Sequence, residues 1–573
     1  MAPLSAPPAR PAPARPATEP VPVRRGRALL AVAVPTAVTA AHAALYGRWI
    51  VDDAGITFAY ARSMATGAGP VLQPGASPVE GYSNPAWLAL LVLGRWLGLF
   101  DHGTWFGMPD YVVFPKALAL LCCAGMFGCM YLAAKAVSAR PALLTAVAGS
   151  LTAAVPAFVI WCVSGLENSL LALAVLGLAA VLVRASAEGR LMRPSIALGC
   201  GLLAALAALT RPDGIVYLAA LPIVALLAAL RTVARGGGTW RGAVRGVVAA
   251  TGVSVVAFGV PFGGYLVWRV LTFGELLPNT ALAKRQGLPG LDALARPAEL
   301  VGYLGWYLVL VAVLLVAVAL ALPSPSRPGL LALCVPLGLA LLAFAVLNAD
   351  WMGQYRFSTP VWPLAALVAT VAAGQVIGRL SWSGRSAVGV VLAAAALVSG
   401  VGLAGQARAF RAEPTTPLCL VAQNAGRNIA GYAAIVGAPS PTVLVPDIGG
   451  SSLAGNVRIV DLAGLADARI AGFWRRGDPA GLRDYVFGVV RPTFIKSHGG
   501  WSAMTGLTAD ARLAAHYAEI GSTVGTTDWV RTDVLTRPDL LDQLRGYFSR
   551  VAAPADAEAR RAPRASCGPV LRG

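Results

Sequence analysis

The sequence predicts a polytopic α-helical membrane protein with a soluble mixed α/β domain at its C-terminus. Hydrophobic residues make up 57% of the 573 residues and charged residues only 13%, whereas about 25% charged residues is usual for a soluble domain. This charge deficit excludes a cytosolic enzyme and a disordered scaffold. The formal net charge of +19 invites a nucleic-acid interpretation, but basic residues of membrane proteins gather in short cytoplasmic loops. We therefore expect no nucleic-acid partner.

Apolar runs dominate the chain between residues 28 and 406, and a Pro- and Ala-rich segment precedes them. Residues 1–27 are predicted to be a disordered cytoplasmic tail. Ala41-His42-Ala43 resembles a signal-peptidase site, but the length of the first run and the later runs favour a retained helix. The apolar runs fall at 28–46, 84–100, 112–137, 141–161, 168–184, 195–211, 214–231, 246–270, 300–322, 329–348, 359–379 and 386–406.

Basic residues mark every second loop, which predicts the orientation in the plasma membrane. The alternation holds only if the whole stretch 48–111 lies outside, so the run 84–100 should be interfacial or re-entrant. We therefore predict eleven spans over 28–406, a cytoplasmic N-terminus and an outer C-terminus. The basic residues that mark the inner loops are Lys135, Arg140, Arg184, Arg190, Arg193, Arg231, Arg235, Arg241, Arg245, Arg327, Arg379 and Arg385.

The composition changes near residue 407, where charged residues return and short β-rich runs appear. These runs are Thr442 to Val445, Val457 to Val460 and Thr493 to Ile495, with helix-like stretches at 480–487 and 510–519. Residues 407–573 therefore predict a periplasmic or extracellular domain, which either handles carbohydrate or is a structural cap. Cys419 and Cys567 lie near its two ends, and disulfides persist in that compartment. We predict that they are bonded, and that the six other cysteines pack within the spans.

Two adjacent carboxylates, Asp52 and Asp53, follow the first span directly. Crowded acids shift each other's pKa, so the pair could act as a base or hold a divalent cation; a solvated acidic turn is the alternative. The next polar cluster suits sugar stacking and hydroxyl binding, although Trp87 alone also fits an interfacial anchor. That cluster contains Glu80, Tyr82, Asn84 and Trp87.

The remaining outer loops repeat acids, cations and aromatic residues. Arg269 and Lys284 flank a loop that is basic on the non-cytoplasmic side, which predicts phosphate binding. Arg211 with Asp213, and Asp350 with Arg356, are either substrate ligands or simple ion pairs. The other polar candidates in these loops are Glu167, Asn279 and Trp351.

This outer surface favours a membrane enzyme that acts on an anionic lipid and a hydroxyl-bearing substrate. The sequence contains no GxxxxGK[ST] phosphate loop. A transporter would place polar groups in the middle of its spans, often in two repeats, but the spans are apolar to their centres. A lipid-linked glycan transporter and a non-catalytic cell-wall polymer-binding protein remain the alternatives.

Several of these segments resemble GT-C glycosyltransferases, and in particular the mycobacterial terminal arabinofuranosyltransferase B family. The resemblance covers about residues 28 to 500. Its motifs are Asp52-Asp53 with Ile56-Thr-Phe-Ala-Tyr-Ala-Arg62, Val79-Glu-Gly-Tyr-Ser-Asn-Pro-Ala-Trp87, Ser164-Gly-Leu-Glu167, Leu209-Thr-Arg-Pro-Asp213, Leu277-Pro-Asn-Thr280, Asp350-Trp-Met352 with Arg356, and Val460-Asp461 through Asp467.

The resemblance implies a GT-C fold, a polyprenyl-phosphate sugar donor and an arabinan or other polysaccharide acceptor. It implies that Asp53 or Asp52 is catalytic, with no certain cofactor. The expected ligands of the donor phosphate are Lys284, Arg269, Arg211 and Arg356. The expected acceptor or sugar ligands are Glu80, Tyr82, Asn84, Trp87, Glu167, Asp213, Asn279, Asp350 and Trp351.

Overall fold

Helices dominate the computed structural model, which describes residues 25–284, 289–523, 525–569 and 571. Most of the predicted tail, residues 1–24, lies outside these described residues. The first part of the chain contains α1 (Arg25–Ala44), α2 (Asp52–Ala65), α3 (Pro85–Trp96), α4 (Asp110–Val137), α5 (Pro141–Ala154), α6 (Pro156–Cys162), α7 (Asn168–Ala187), α8 (Pro194–Thr210), α9 (Ala220–Ala234), α10 (Trp240–Phe273), α11 (Asn279–Ala283), α12 (Pro297–Leu304), α13 (Trp306–Ala321), α14 (Arg327–Val346), α15 (Val361–Ile377) and α16 (Trp382–Ala412).

The described part of the chain has seven helices long and apolar enough to cross a membrane, or nine when two bent pairs each count as one. The pair α5–α6 bends by 81° and the pair α12–α13 by 112°. The apolar helices α8 and α15 are shorter. Counted together, these helices occupy the eleven predicted spans, and the multi-pass membrane fold is confirmed.

Helix α3 occupies the run that was predicted not to span. Its 12 residues rise about 18 Å, well short of a hydrocarbon core of about 30 Å. Arg95 of α3 is buried and forms an ion pair with Asp101, which also pairs with Arg62 of α2 at 2.7 Å. These contacts fix α3 against α2 at the end of the bundle that carries the loop 48–111.

The soluble domain contains a mixed sheet flanked by short helices. Its helices are α17 (Leu418–Val421), α18 (Asn428–Val436), α19 (Gly449–Ala454), α20 (Ala468–Arg476), α21 (Pro479–Asp484), α22 (Gly499–Thr505), α23 (Ala511–His516), α24 (Leu540–Tyr547) and α25 (Ala553–Arg561). The strands of the described residues are β1 (Thr104–Trp105) and β2 (Met108–Pro109) in the loop 48–111, then β3 (Thr442–Val445), β4 (Arg458–Asp461), β5 (Phe494–His498), β6 (Tyr517–Thr523) and β7 (Thr526–Arg531).

The five-stranded sheet has the order β4-β3-β5-β7-β6. Strand β3 is parallel to β4 and β5, whereas β7 is antiparallel to β5 and β6. Val443 and Val445 pack into the core that continues from the membrane helices, and Leu444 packs into a second core on the other face. Burial of both faces explains the continuous apolar run of β3. The predicted mixed α/β character is confirmed, although β6 and β7 were not predicted and β6 begins at Tyr517, inside the predicted helix-like stretch 510–519.

Two features refine the predicted domain organisation. Helix α16 continues to Ala412, so the predicted boundary between 406 and 407 falls inside this helix. Cys419 and Cys567 form the predicted disulfide, with a Cα–Cα distance of 5.1 Å. The six other cysteines are free and buried or half-buried. The disulfide fastens the last described residues to the start of the soluble domain.

Candidate active site

The two adjacent carboxylates stand in the first turn of α2, where negative charge is favoured by the helix dipole. Val51 precedes the helix in an extended conformation and forms a β-bridge with Pro417. The backbone N–H of Asp52 donates to the carbonyl of Thr416 at 3.0 Å. The segment that follows α16 therefore holds the start of α2 in place.

Asp52 points away from the solvent and into the soluble domain. Its two carboxylate oxygens accept the backbone N–H groups of Gly449 and Gly450, at 3.2 and 2.7 Å, at the beginning of α19. Burial and then the nearby charge of Asp447 raise the pKa of Asp52. Since both oxygens are occupied by backbone donors, Asp52 joins α2 to the soluble domain.

Glycines allow this close approach of α2 and α19. A Cβ atom on Gly449 would lie 2.7 Å from the carbonyl carbon of Asp52. A Cβ atom on Gly55 would lie 2.7 Å from the carbonyl carbon of Gly449. Both distances are too short for van der Waals contact, so the backbone-to-backbone crossing depends on these two residues.

Asp53, in contrast, lines a cleft of about 180 Å³. Among the residues that the structure describes, no donor is within hydrogen-bonding distance of its carboxylate. Burial raises the pKa of Asp53, whereas the positive charges of Lys284 and Arg356 act to lower it. Its oxygens are therefore available to a molecule in the cleft.

Among the described residues, three cations border the same cleft: Arg211, Lys284 and Arg356. Arg211 pairs with Asp213 at 2.9 Å and with Glu167 at 3.2 Å. Lys284, in contrast, forms no ion pair within the described ranges. Its side chain is accessible to solvent at the cleft, although neighbouring protein groups partly desolvate its ammonium group. Partial desolvation lowers the pKa of Lys284, and the charge of Asp53 opposes this change. Of the described cations of this cleft, Lys284 is therefore the one without an anionic partner.

The ion pairs that were alternatives to substrate binding are present. Besides Arg211 with its two carboxylates, Arg356 pairs with Asp350 at 2.8 Å. Both guanidinium groups contact the ring of Phe357, at 4.5 and 4.9 Å from its centroid. Phe357 therefore spaces the two arginines along one wall of the cleft.

A hydrogen-bonded chain builds the neighbouring wall. The amide of Asn84 donates to one oxygen of Glu167 at 2.7 Å, and Arg211 donates to the other at 3.2 Å. Tyr82 lines the cleft beside Asn84. Because Glu167 is satisfied on both oxygens, this wall is positioned before any ligand arrives.

The structure corrects the placement of several predicted ligands. Arg269 and Glu80 are buried in an ion pair at 2.6 Å, and the Tyr265 hydroxyl also donates to Glu80, so neither lines the cleft. Trp87 is fully buried and its indole donates to the carbonyl of Gly165, so its ring has no face open to a sugar.

Asn279 and Trp351 also lie outside the cleft lining. The Asn279 amide is buried and donates to the carbonyls of Gly464 and Leu465 at 2.7 and 2.9 Å. It therefore ties the loop before Lys284 to the soluble domain. Trp351 is 61% exposed and borders a separate groove beside residues 412–417.

Two residues of the soluble domain were missed by sequence reasoning. Asp447 accepts a hydrogen bond from Nε2 of His498 at 2.7 Å, and its charge acts on both Asp52 and Asp53. Asp447 follows β3, and His498 ends the parallel strand β5. Ligand sites gather at the carboxyl ends of parallel strands, so the predicted strands held a signal for this pair.

The described residues offer no group of three or more His, Cys, Asp or Glu side chains that could hold a metal ion. Asp52 already accepts two backbone N–H groups. The hypothesis of a divalent cation at Asp52 and Asp53 therefore finds no protein ligand set in this part of the chain.

No protein-family model and no curated protein matches the chain. Solved structures do resemble it. ArnT from Cupriavidus metallidurans bound to undecaprenyl phosphate has a TM-score of 0.55 and 16% identity, over 88% of this chain and 98% of that one. The oligosaccharyltransferase of Archaeoglobus fulgidus tethered to an acceptor peptide has a TM-score of 0.53 and 12% identity, over 89% and 74%.

A structure of the oligosaccharyltransferase AglB from Archaeoglobus fulgidus contains an inhibitory peptide and a dolichol-phosphate. Its TM-score is 0.50 at 10% identity, over 92% of this chain and 78% of that one. At such identities the likeness concerns the fold. It extends over the membrane helices and the soluble domain alike. The chain therefore has the GT-C membrane fold that the sequence motifs implied.

Proposed function

We propose that this protein transfers a sugar from a polyprenyl-phosphate donor to a cell-wall polysaccharide or glycolipid acceptor at the outer face of the plasma membrane. One observation carries the proposal. Among the described residues, the Asp53 carboxylate has no hydrogen-bond donor and Lys284 has no ion pair, and the two side chains border the same cleft. A nucleophile or base beside a phosphate-binding cation is what glycosyl transfer from a lipid phosphate requires. By the family resemblance, the sugar is arabinofuranose and the acceptor is arabinan.

Lys284 is our first choice for the donor phosphate. The carboxylates that pair with Arg211 and Arg356 already balance much of their charge, whereas Lys284 has charge to offer. Neutralising the phosphate makes it a better leaving group when the bond to the sugar breaks. The undecaprenyl phosphate and dolichol-phosphate in the two similar structures support this class of donor.

Asp53 is the group we assign to the chemistry. In a displacement that inverts the anomeric centre, it would take the proton from the acceptor hydroxyl, and its raised pKa suits a base. If the configuration is retained, it would act as a nucleophile or stabilise an oxocarbenium-like state. Asn84, Glu167 and Tyr82 then form the wall that receives sugar hydroxyls.

The proposed orientation places the N-terminus in the cytoplasm and the soluble domain in the periplasm or outside the cell. Basic residues on alternate loops favour it. The Cys419–Cys567 disulfide agrees with an oxidising compartment for the soluble domain. The cleft would then open at the outer leaflet, beside the lipid tail of the donor.

The test is to incubate the purified full-length protein with a synthetic polyprenyl-phosphate pentose and an oligosaccharide acceptor. We expect mass spectrometry to find the acceptor heavier by one pentose residue. With a hexose donor we expect no product heavier by one hexose residue. Movement of the donor lipid between leaflets without a new glycosidic bond would support a transporter instead. Acceptor binding without product would support a polymer-binding protein.

Replacing Lys284 tests the phosphate assignment within the same assay. Lys284→Met keeps much of the length of the side chain but removes its charge. We expect the KM for the donor to rise by about tenfold, since a charge-assisted contact contributes roughly 1.5 kcal/mol or more. An unchanged donor KM together with an unchanged turnover would remove Lys284 from the donor site. The acceptor KM serves as the internal control.

A further inference from the structure

A second cavity, of about 640 Å³, lies at the end of the bundle opposite to the cleft. It is bounded by the end of α7, the last turns of α9, the first turns of α10 and the start of α14. Its walls are mostly apolar, with Leu227 and Leu331 among them, and glycines such as Gly238 and Gly246 keep it open. The volume is within the usual range of ligand pockets.

Two arginines line this cavity, and a third lies next to one of its lining residues. Arg231 and Arg235 line it, and Arg327 precedes the lining residue Pro328. The charges of Arg235 and Arg327 act on Arg231 as like charges. Within the described ranges none of the three has an ion pair, and the Nε atom of Arg327 is buried without a hydrogen-bond partner. No carboxylate of the described residues therefore balances the positive charge of this cluster.

Three buried arginines at the other end of the bundle behave differently. Arg211, Arg269 and Arg356 are each paired with a carboxylate. Near the second cavity the acid Glu188 pairs with Arg184 and Arg190 instead. The bias towards positive cytoplasmic loops explains the large number of arginines at this end. It does not explain why three arginines without an ion pair among the described residues lie close to one cavity.

We propose that this cavity, named here the basic cavity, binds an anionic phospholipid of the adjacent leaflet. The phosphate would be held by Arg231, Arg235 and Arg327, because guanidinium groups bind phosphate oxygens through charge-assisted hydrogen bonds. The apolar wall that includes Leu227, which is 38% exposed, would take the first part of an acyl chain. Basic pockets between membrane helices bind anionic head groups in this manner. The inference does not depend on the proposed glycosyl transfer.

Native mass spectrometry of the full-length protein tests the proposal. The purified, delipidated protein is titrated with phosphatidylglycerol and, separately, with zwitterionic phosphatidylcholine. We expect saturable binding of one phosphatidylglycerol, and about 30-fold weaker binding in the double variant Arg231→Gln with Arg235→Gln. The matched control is Arg140→Gln with Arg193→Gln, which removes the same charge outside the cavity lining and should bind as the parent does.

Each other outcome would overturn the proposal. Equal weakening in both double variants would mean that only the diffuse charge of this face attracts the lipid. Unchanged binding in the cavity variant, or equal binding of phosphatidylcholine, would mean that the cavity is not an anionic lipid site. If the double variant does not fold, the single variant Arg235→Gln, at an exposed position, should still weaken binding by about fivefold.

Discussion

Replacing Asp53 by Asn should abolish most turnover without weakening the fold. Asn can neither take the proton from the acceptor hydroxyl group nor act as a nucleophile. We therefore expect turnover to fall by about 10²- to 10⁴-fold. Burial raises the pKa of Asp53, so its contribution to stability is present below the ordinary carboxyl pKa and is lost as the pH rises through the raised value. At neutral pH the variant should therefore be at least as stable as the parent protein.

The same substitution at Asp52 should mainly lower stability and should reduce turnover much less. Asn keeps one acceptor oxygen for the N–H of Gly450, which is 2.7 Å away, but its NH₂ group then faces the buried N–H of Gly449. A buried donor left without an acceptor costs about 1–3 kcal/mol. We expect a lower free energy of unfolding, with turnover reduced much less than in Asp53→Asn.

The assay is transfer from the polyprenyl-phosphate sugar under single-turnover conditions, with thermal unfolding of the same preparations. Loss of turnover in Asp52→Asn as large as in Asp53→Asn, with an unchanged melting temperature, would refute the division of roles. Near-full activity of both variants would remove the carboxylate pair from the chemistry.

Three further predictions concern the soluble domain. Gly449→Ala should destabilise the protein by about 1–3 kcal/mol in thermal unfolding, because its Cβ would meet the backbone of Asp52, whereas Gly252→Ala, with open space around it, should not. Serine at Cys419 and Cys567 should lower the free energy of unfolding by up to about 5 kcal/mol, since the bond joins positions 148 residues apart; equal stability with and without reductant would contradict this. Burial raises the pKa of Asp461 to about 7, so stability should decrease as the pH rises from about 4 to about 7, and Asp461→Asn should flatten this dependence in melting curves recorded across that range.

The spans and the carboxylate pair were predictable because both leave local signals. Apolar length, basic loops and adjacent acids are read directly from the chain. The 81° and 112° bends at the α5–α6 and α12–α13 breaks were not predicted, since each break lies inside a run that stays apolar. Membrane spans therefore appear in the sequence as runs, but their bends do not.

The partners of the site residues were less predictable, because they depend on contacts between distant parts of the chain. Glu80 and Arg269 are 189 positions apart, and no local pattern announces their ion pair. Asp52 and Asp53 look equivalent in sequence. They differ in the structure because the N–H groups at the start of α19 bind the carboxylate of Asp52. Trp87 was expected to contact sugar because aromatic residues beside polar ones are typical of sugar-binding sites. In the structure it is a core residue.

Through the contact between Asp52 and the start of α19, the soluble domain helps to position the carboxylate pair of the membrane domain. A protein truncated after α16 would lose the N–H groups of Gly449 and Gly450 that hold the Asp52 carboxylate, and it would lose the Thr416 carbonyl that holds the start of α2. Exchange of this domain between relatives would therefore have to preserve two glycines as strictly as any group in the cleft.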